Sequence, residues 1–203
     1  RVLFRSHASA ARFDRLASGR ERWKKHNYYY YRKISDYYRF YIPEGYRVLE
    51  VGSGDGDLLA SLKPSRGLGV DPSSEFVRLA AERHPKLEFR QGYAESLETG
   101  ETFDYIVLSD LVGHLEDVQL AFERVRKACK PSTRIVISYY NYLWEPLLSL
   151  GSKLGLRMKQ NAQNWLSLED LENLLKISGF DVIKKSRKVI FPFNIQLLSD
   201  LLN

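Results

Sequence analysis

A glycine-rich turn between two apolar runs is the feature that most constrains the fold. The run Val48–Val51 enters Gly-Ser-Gly-Asp-Gly at residues 52–56, and a second run, Gly67–Val70, ends in Asp71. A strand, a glycine turn, a helix and a second strand that ends in a carboxylate form the plan of a nucleotide-binding βαβ unit. The sequence therefore predicts a parallel sheet with a ligand site at the carboxyl ends of its strands.

The glycine spacing and the nearby acids indicate which ligand fits this turn. Residues 52–56 read G-x-G-x-G, whereas a dinucleotide fingerprint would place its third glycine at Asp57. Glu50, Asp55 and Asp57 surround the turn, so a pyrophosphate there would meet like charge. S-adenosylmethionine (SAM) carries a sulfonium and an ammonium and no phosphate, so carboxylates favour it, and Asp71 is placed to accept both ribose hydroxyls. The alternative is that these acids only cap a helix.

Two later segments continue the same pattern. Residues 89–95 read Phe-Arg-Gln-Gly-Tyr-Ala-Glu, and residues 103–110 read Phe-Asp-Tyr-Ile-Val-Leu-Ser-Asp, an apolar strand that ends in a carboxylate. With the glycine turn, they make residues 48–138 resemble the core of a class I SAM-dependent methyltransferase. The resemblance implies a Rossmann-like α/β fold with a mostly parallel sheet, helices on both faces and an N-terminal helical arm.

The resemblance also implies the cofactor, SAM, with S-adenosylhomocysteine as its product. In this family the segment similar to 89–95 binds adenine, and the tip of the fourth strand faces the methyl group. In similar enzymes a helical arm closes over SAM, and Arg12-Phe13-Asp14 resembles the start of that lid. The cofactor-binding residues implied are Glu50, Gly52, Ser53, Gly54, Asp71, Pro72, Ala94, Glu95, Ser109, Phe13 and Tyr31.

His114 and Asp110 are the catalytic candidates. Methyl transfer from a sulfonium is an in-line displacement, so holding an acceptor atom near the methyl carbon supplies much of the acceleration. A hydroxyl acceptor also benefits from a base. His114 suits that role because imidazole titrates near neutral pH, and Asp110 either acts directly or orients it. The alternative for His114 is packing or capping beside the helix that begins near Glu116.

The basic character of the chain belongs to its N-terminal arm, residues 1–45. Residues 1–47 hold 12 Lys or Arg against 4 Asp or Glu, whereas the whole chain has a net charge of +6. Nucleic acid, anionic lipid headgroups and phosphorylated carriers respond to such a cluster, and a solvated helical face is the equal alternative. The arm is predicted to pack an amphipathic helix on the domain through Trp23, Tyr30, Ile34, Tyr37 and Tyr41.

A run of four tyrosines, Tyr28–Tyr31, stands inside this arm. Four consecutive side chains cover every side of a helix and cannot all be buried on one face. Tyr30 and Tyr31 are therefore candidates for contact with a ligand.

Residues 46–203 form the predicted SAM-binding domain, in which strands and helices alternate. The seventh, antiparallel strand that usually ends this fold is not found in the sequence, so we predict a truncated C-terminus or a strand supplied from elsewhere. Predicted strands lie at 47–51, 66–70, 87–90, 104–109, 134–139 and 181–190, and predicted helices at 56–63, 73–83, 117–129, 145–154 and 168–178.

An aromatic insertion at 139–166 follows the fifth predicted strand. It begins where ligands bind in open α/β sheets, so its rings are expected to line the acceptor site, stack on sugars or rest on a membrane surface. Ordinary packing is the alternative. Tyr-Asn-Tyr-Leu-Trp-Glu-Pro at 140–146 resembles a bacterial subgroup associated with glycosyltransferases in polysaccharide or glycolipid synthesis.

Several chemistries are excluded by absent residues. Cytosine C5 methylation needs a cysteine nucleophile after the fourth strand, but the single cysteine, Cys129, lies at a predicted helix end. No Asp/Asn-Pro-Pro-Tyr/Phe motif follows that strand, which argues against methylation of the amino group of adenine or glutamine. No paired Cys/His spacing indicates a metal.

The sequence thus predicts a SAM-dependent methyltransferase that acts on a hydroxyl of a sugar, a polysaccharide precursor or another small metabolite. The alternatives are an RNA methyltransferase that uses the basic arm, although nucleic acid is the less favoured partner, and a non-catalytic module beside a partner or fused glycosyltransferase. A cytoplasmic location, with peripheral contact at the inner membrane face, fits the single cysteine and the basic arm. The oligomeric state is not indicated.

Overall fold

The computed structural model describes residues 28–139 and 166–186. Five strands form one sheet in the order β3-β2-β1-β4-β5, and every neighbouring pair is parallel. This confirms the predicted Rossmann-like α/β fold. The strands are β1 (Arg47–Val51), β2 (Arg66–Asp71), β3 (Glu88–Gln91), β4 (Phe103–Ser109) and β5 (Cys129–Ser138), and the α-helices are α1 (Tyr28–Tyr41), α2 (Asp57–Ser61), α3 (Ser74–Arg83), α4 (Val118–Arg126) and α5 (Leu168–Ile177).

Alternate residues of the central strands enter two separate cores. On β4, Ile106 and Leu108 lie in the core on one face, which also receives α4 and α5, while Tyr105 and Val107 lie in the core on the other face, with α1 and α2. Side chains of a strand point alternately to its two faces, so a strand buried on both must be apolar throughout. The helices therefore cover both faces, as predicted.

The arm helix α1 packs on the sheet, with one correction to its predicted buried stripe. Ile34 and Tyr38 are buried against the sheet, and Tyr30 and Tyr41 pack against the same core. Tyr37 was expected in this stripe, but Tyr38 takes that place because it packs against Tyr105 and Val107 of β4. The Tyr38 hydroxyl donates to the carbonyl of Leu108 at 3.4 Å, and burial raises the pKa of this tyrosine.

The start of β5 corrects the predicted helix at 117–129 and strand at 134–139. Helix α4 ends at Arg126, and Cys129 already pairs with Phe103 of β4 rather than ending a helix. Between the pairs Phe103–Cys129 and Tyr105–Arg134 the register shifts, so extra residues bulge out of β5. Pro131 lies in this bulge, where a missing amide hydrogen costs no ladder bond.

The predicted strand at 181–190 is wrong over its described part. Residues 181–186 form no strand, and Ile183 is 86% exposed. The alternating apolar and polar residues there therefore do not bury an apolar face. Lys184 instead lies over the ring of Tyr41, and Lys185 pairs with Glu172 at 2.6 Å. Outside the described residues lie Phe13, Trp23, nearly all of the 139–166 insertion and everything after residue 186. Within the described ranges, no helix is long and apolar enough to cross a membrane.

An ion network joins the amino ends of the strands, opposite the edge where ligands bind. Arg66 of β2 donates to Glu88 at 2.6 Å and to Glu101 at 2.7 Å, and Arg47 of β1 pairs with Glu101 at 2.6 Å. The hydrogen bond from Arg66 holds the pKa of Glu101 below its ordinary value of 4.5. One carboxylate thus links the starts of two neighbouring strands.

This network predicts that Glu101→Gln lowers the free energy of unfolding by about 1 kcal/mol at neutral pH. Because the folded pKa of Glu101 is depressed, its contribution is present above pH 4.5 and disappears as the pH falls through the folded pKa. The difference between the variant and the wild type should therefore shrink in acid. Urea unfolding across this pH range measures it, with Glu98→Gln as the control, since Glu98 is 81% exposed and pairs only loosely with Arg124 at 3.5 Å.

Candidate functional site

The candidate site lies where β1 and β4 end, at the point where the strand order reverses. From β1 the chain moves outward through β2 to β3, then returns to the other side of β1 for β4 and β5. The loops after β1 and β4 therefore leave the sheet in opposite directions and open a crevice between them. In open α/β sheets this crevice binds the ligand.

The glycine turn after β1 admits no side chain at two positions. Gly52 has a φ of +77°, and a Cβ there would lie 2.9 Å from Leu111 Cδ1. Gly56 also has a φ of +77°, and its Cβ would lie 2.5 Å from the Phe89 ring. Side chains are disfavoured at positive φ, so both positions require glycine for conformation and for space. The backbone amides of Gly52 and Ser53 both donate to the Val70 carbonyl, at 2.7 and 3.1 Å, which ties the turn to β2.

Two buried carboxylates hold this turn in place. Glu50 is 2% exposed and accepts a hydrogen bond from the Leu59 amide at 3.0 Å. Asp71 is 7% exposed and accepts from the Gly54 amide at 2.8 Å through one oxygen and from the Ser73 amide at 2.9 Å through the other. The structure thus brings the predicted residues Glu50, Gly54 and Asp71 together, with Asp71 bridging the turn and the start of α3.

Ser53 supplies a direct test of whether a ligand fits here. Its hydroxyl is buried, and no hydrogen-bond partner for it is found within the described residues. A buried hydroxyl without a partner is costly, so such an atom calls for an explanation. Gly54 and Gly56 are buried and Gly52 is half-buried, so a polar ligand would reach the turn at Gly52. The donors and acceptors present therefore fit SAM.

The segment predicted to contact adenine follows β3. Ala94 is buried at the start of a 3₁₀ turn, Ala94–Ser96. Glu95 does not point its charge at an open site, because its carboxylate accepts from the amides of Glu116 at 2.9 Å and Asp117 at 3.5 Å, just before α4. Pro72, after β2, accepts from the Gln91 side chain at 3.1 Å through its carbonyl. Glu95 thus has a structural role that the sequence did not indicate.

The tip of β4 holds a strained residue, Asp110. Its φ of +53° lies in the left-handed region, where only Lys63 joins it among the described non-glycine residues. One carboxylate oxygen accepts from Ser138 Oγ at 2.8 Å, and the other from the Tyr30 hydroxyl at 2.5 Å. The hydroxyl oxygen of Ser109, the last residue of β4, lies 3.4 Å from the hydroxyl oxygen of Ser138. Strain of this kind concentrates at functional sites.

His114 follows directly on this tip. It ends the 3₁₀ turn Val112–His114, its amide donates to the Leu111 carbonyl at 2.8 Å, and its side chain is half-buried. Tyr31, the candidate from α1, is also half-buried and meets the ring of Tyr30 edge to face at 5.5 Å. His114 thus follows Asp110 by four residues in the chain. Tyr31 lies against Tyr30, which in turn contacts Asp110.

Sequence reasoning missed the partners of Asp110. Tyr30 was considered as a ligand contact, and its bond to a carboxylate 80 residues away was not foreseen. Ser138 was not singled out at all. The one available signal was the spacing of Tyr30 four residues before Ile34, which puts it on the buried side of α1.

The fold is that of an α/β protein whose ligand crevice lies beside the glycine turn after its first strand. The chain belongs to the methyltransferase domain family, whose model matches residues 23–185. Its curated relatives include proteins named ubiquinone biosynthesis O-methyltransferase from Rhizobium etli and Bradyrhizobium diazoefficiens. The first is 28% identical over 75% of this chain and 67% of its own length, the second 28% over 73% and 64%. The chain thus spans about two thirds of their length.

Solved structures share the same fold. A SAM-dependent methyltransferase from Thermotoga maritima, described as a possible histamine N-methyltransferase, has a TM-score of 0.71 at 22% identity and covers 84% of this chain and 80% of its own. The complex of DhpI with SAM and HEP has a TM-score of 0.65 at 18% identity, with 87% and 89% covered. With the family match, these findings establish a SAM-dependent methyltransferase.

Proposed function

We propose that the protein transfers the methyl group of SAM to a hydroxyl of a small molecule. The observation that carries the proposal is the Asp110 carboxylate, which sits at the tip of β4 and accepts hydrogen bonds from two hydroxyl groups, those of Tyr30 and Ser138. A site that already binds hydroxyl hydrogens suits a hydroxyl acceptor. The names of the relatives, which are O-methyltransferases, favour oxygen in the same way.

The glycine turn and the ends of β1 and β2 hold SAM in this proposal. The backbone at Gly52 and Gly54, in the turn after β1, lies against the methionine part. Asp71 accepts from the ribose hydroxyls, and the hydrogen bonds from the Gly54 and Ser73 amides fix the position of its carboxylate. When bound, SAM supplies an electrophilic methyl group, which the chain has only to align with an acceptor.

His114 is the base of this proposal, and Asp110 orients the groups around it. Both oxygens of the Asp110 carboxylate already accept hydrogen bonds from the chain, which leaves Asp110 less suited to take a proton from the acceptor. Imidazole ordinarily titrates near neutral pH and takes a hydroxyl proton more readily. His114 would therefore take the proton of the acceptor hydroxyl, while the chain would hold that oxygen in line with the methyl group that SAM would supply.

Two measurements test this function. Calorimetric titration with S-adenosylhomocysteine, run beside NAD, should show binding of the first ligand alone. Incubation with SAM and a panel of phenols, sugars and matched amines should then give methylated product from hydroxyl compounds only. Methylation of amines and of no hydroxyl compound would contradict the proposal.

The finer predictions made from the sequence are tested by the same panel. A sugar or polysaccharide precursor as acceptor, a glycosyltransferase partner and peripheral contact with a membrane each stay predictions. The RNA alternative predicts methylation of RNA, with binding that weakens steeply as salt rises. A product from phenols and none from sugars or RNA would restrict the acceptor to aromatic hydroxyls.

A further inference from the structure

The arm helix α1 makes a polar contact with the strand that faces the reacting groups. Tyr30 donates to one oxygen of Asp110 at 2.5 Å, while Ser138, at the end of β5, donates to the other at 2.8 Å. Three elements far apart in the chain thus meet at one carboxylate. None of the cofactor-binding residues predicted from the sequence explains this contact.

The apolar packing of α1 fixes where Tyr30 lies. Ile34 and Tyr38 are buried in the core that also contains Tyr105 and Val107 of β4. Tyr30 stands one turn before Ile34 on the same side of the helix, so the packing carries its hydroxyl to the carboxyl end of β4. The packing of Ile34 and Tyr38 therefore fixes the position from which Tyr30 reaches Asp110.

The backbone of Asp110 depends on such contacts. A residue at a φ of +53° is strained, and it keeps that conformation only where surrounding bonds hold it. Its amide donates to the Ser138 carbonyl at 3.1 Å, and its side chain is held from both sides. The turn Val112–His114 begins two residues after it. Loosening of Asp110 is therefore expected to reach His114.

We propose that Tyr30 is a positioning residue for methyl transfer, which acts through Asp110 to fix the tip of β4 and the turn that carries His114. The inference rests on the proposed function, since it concerns the same reacting groups. It assigns α1 a role in arranging the acceptor side of the site, apart from any contact with SAM.

A double-mutant cycle with Tyr30→Phe and Asp110→Asn tests this role. Phenylalanine removes only the hydroxyl, and asparagine tolerates the left-handed region, so neither side chain adds a clash or a backbone strain of its own. Tyr30→Phe should lower kcat about tenfold, the equivalent of one hydrogen bond to a charged group, and leave the KM for SAM within about twofold. In the Asp110→Asn background its effect on kcat should be clearly smaller than tenfold, because the charged acceptor of the Tyr30 hydroxyl is gone. Independent, multiplying effects of the two changes would overturn the inference, as would an unchanged kcat in Tyr30→Phe.

Tyr37→Phe is the matched control, because Tyr37 is half-buried on the same helix and lies outside the core that Tyr30 joins. Amide hydrogen exchange supplies a second readout that needs no acceptor. In Tyr30→Phe the amides of Asp110 and His114 should exchange about tenfold faster, and in Tyr37→Phe they should not change. If the wild type methylates no hydroxyl compound, the proposed function fails, and hydrogen exchange alone decides this inference. Equal exchange in Tyr30→Phe and the wild type would overturn it.

Discussion

Replacing Asp71 by alanine is expected to lower the affinity for S-adenosylhomocysteine by at least about 100-fold. The change removes the carboxylate proposed to bind the ribose and leaves the amides of Gly54 and Ser73 without their acceptor. Each lost hydrogen bond to a charged group costs about 1.5–3 kcal/mol, so two are sufficient for this loss. Calorimetric titration of the folded variant measures it.

Two variants separate binding from folding in this experiment. Asp71→Asn keeps the volume and one acceptor oxygen, so it should bind more weakly than the wild type and more tightly than Asp71→Ala. Asp104→Asn is the matched control, because Asp104 also holds a backbone amide, that of Arg47 at 2.9 Å, at the opposite end of the sheet. It should lose stability and keep its affinity. Wild-type affinity in Asp71→Ala would refute the proposed ribose contact.

Replacing His114 by alanine is expected to lower kcat by about 100-fold or more, the usual contribution of a general base. Affinity for S-adenosylhomocysteine should stay within about twofold, because no cofactor contact is assigned to this side chain. The wild-type rate should also fall as the pH drops through the range in which imidazole takes up a proton, and this dependence should be absent from the variant. Steady-state kinetics across that pH range measure both effects.

Glu116→Gln serves as the control for His114→Ala, since Glu116 is exposed two residues further along the same loop. Its kcat should match that of the wild type. A kcat for His114→Ala equal to that of the control would mean that His114 packs or caps beside α4, the alternative that the sequence left open.

The parts of this protein that the sequence predicted well are those that depend on local chemistry. Strand β1 has its predicted bounds, Arg47–Val51, because an aliphatic run ends at glycines that need positive φ. Helix α5 begins at Leu168, as predicted, where Ser167 and Asp170 bond each other's backbone amides. Asp71 lies at the end of β2, as expected from the carboxylate that closes its apolar run.

The parts that were missed depend on contacts between distant residues. The bulge in β5 arises from pairing with β4, so the local sequence, with Pro131 after a basic stretch, favoured a helix end instead. Tyr37 and Tyr38 are chemically identical neighbours, and only the packing against Val107 and its core decides which is buried. The hydrogen bond between Tyr30 and Asp110 joins residues 80 apart in the chain. The helical spacing of Tyr30 and Ile34 indicates which side of α1 is buried, but it does not indicate the partner.

The ion network centred on Arg66 and Glu101 lies at the amino ends of the strands, and the candidate site lies at their carboxyl ends. Substitutions that change the acceptor site therefore need not weaken the bonds that join the strand ends, and substitutions that strengthen those bonds need not alter the chemistry. Directed evolution can use this separation. Additional stability at the amino ends of the strands lets the protein tolerate destabilising substitutions that change acceptor specificity at the carboxyl ends.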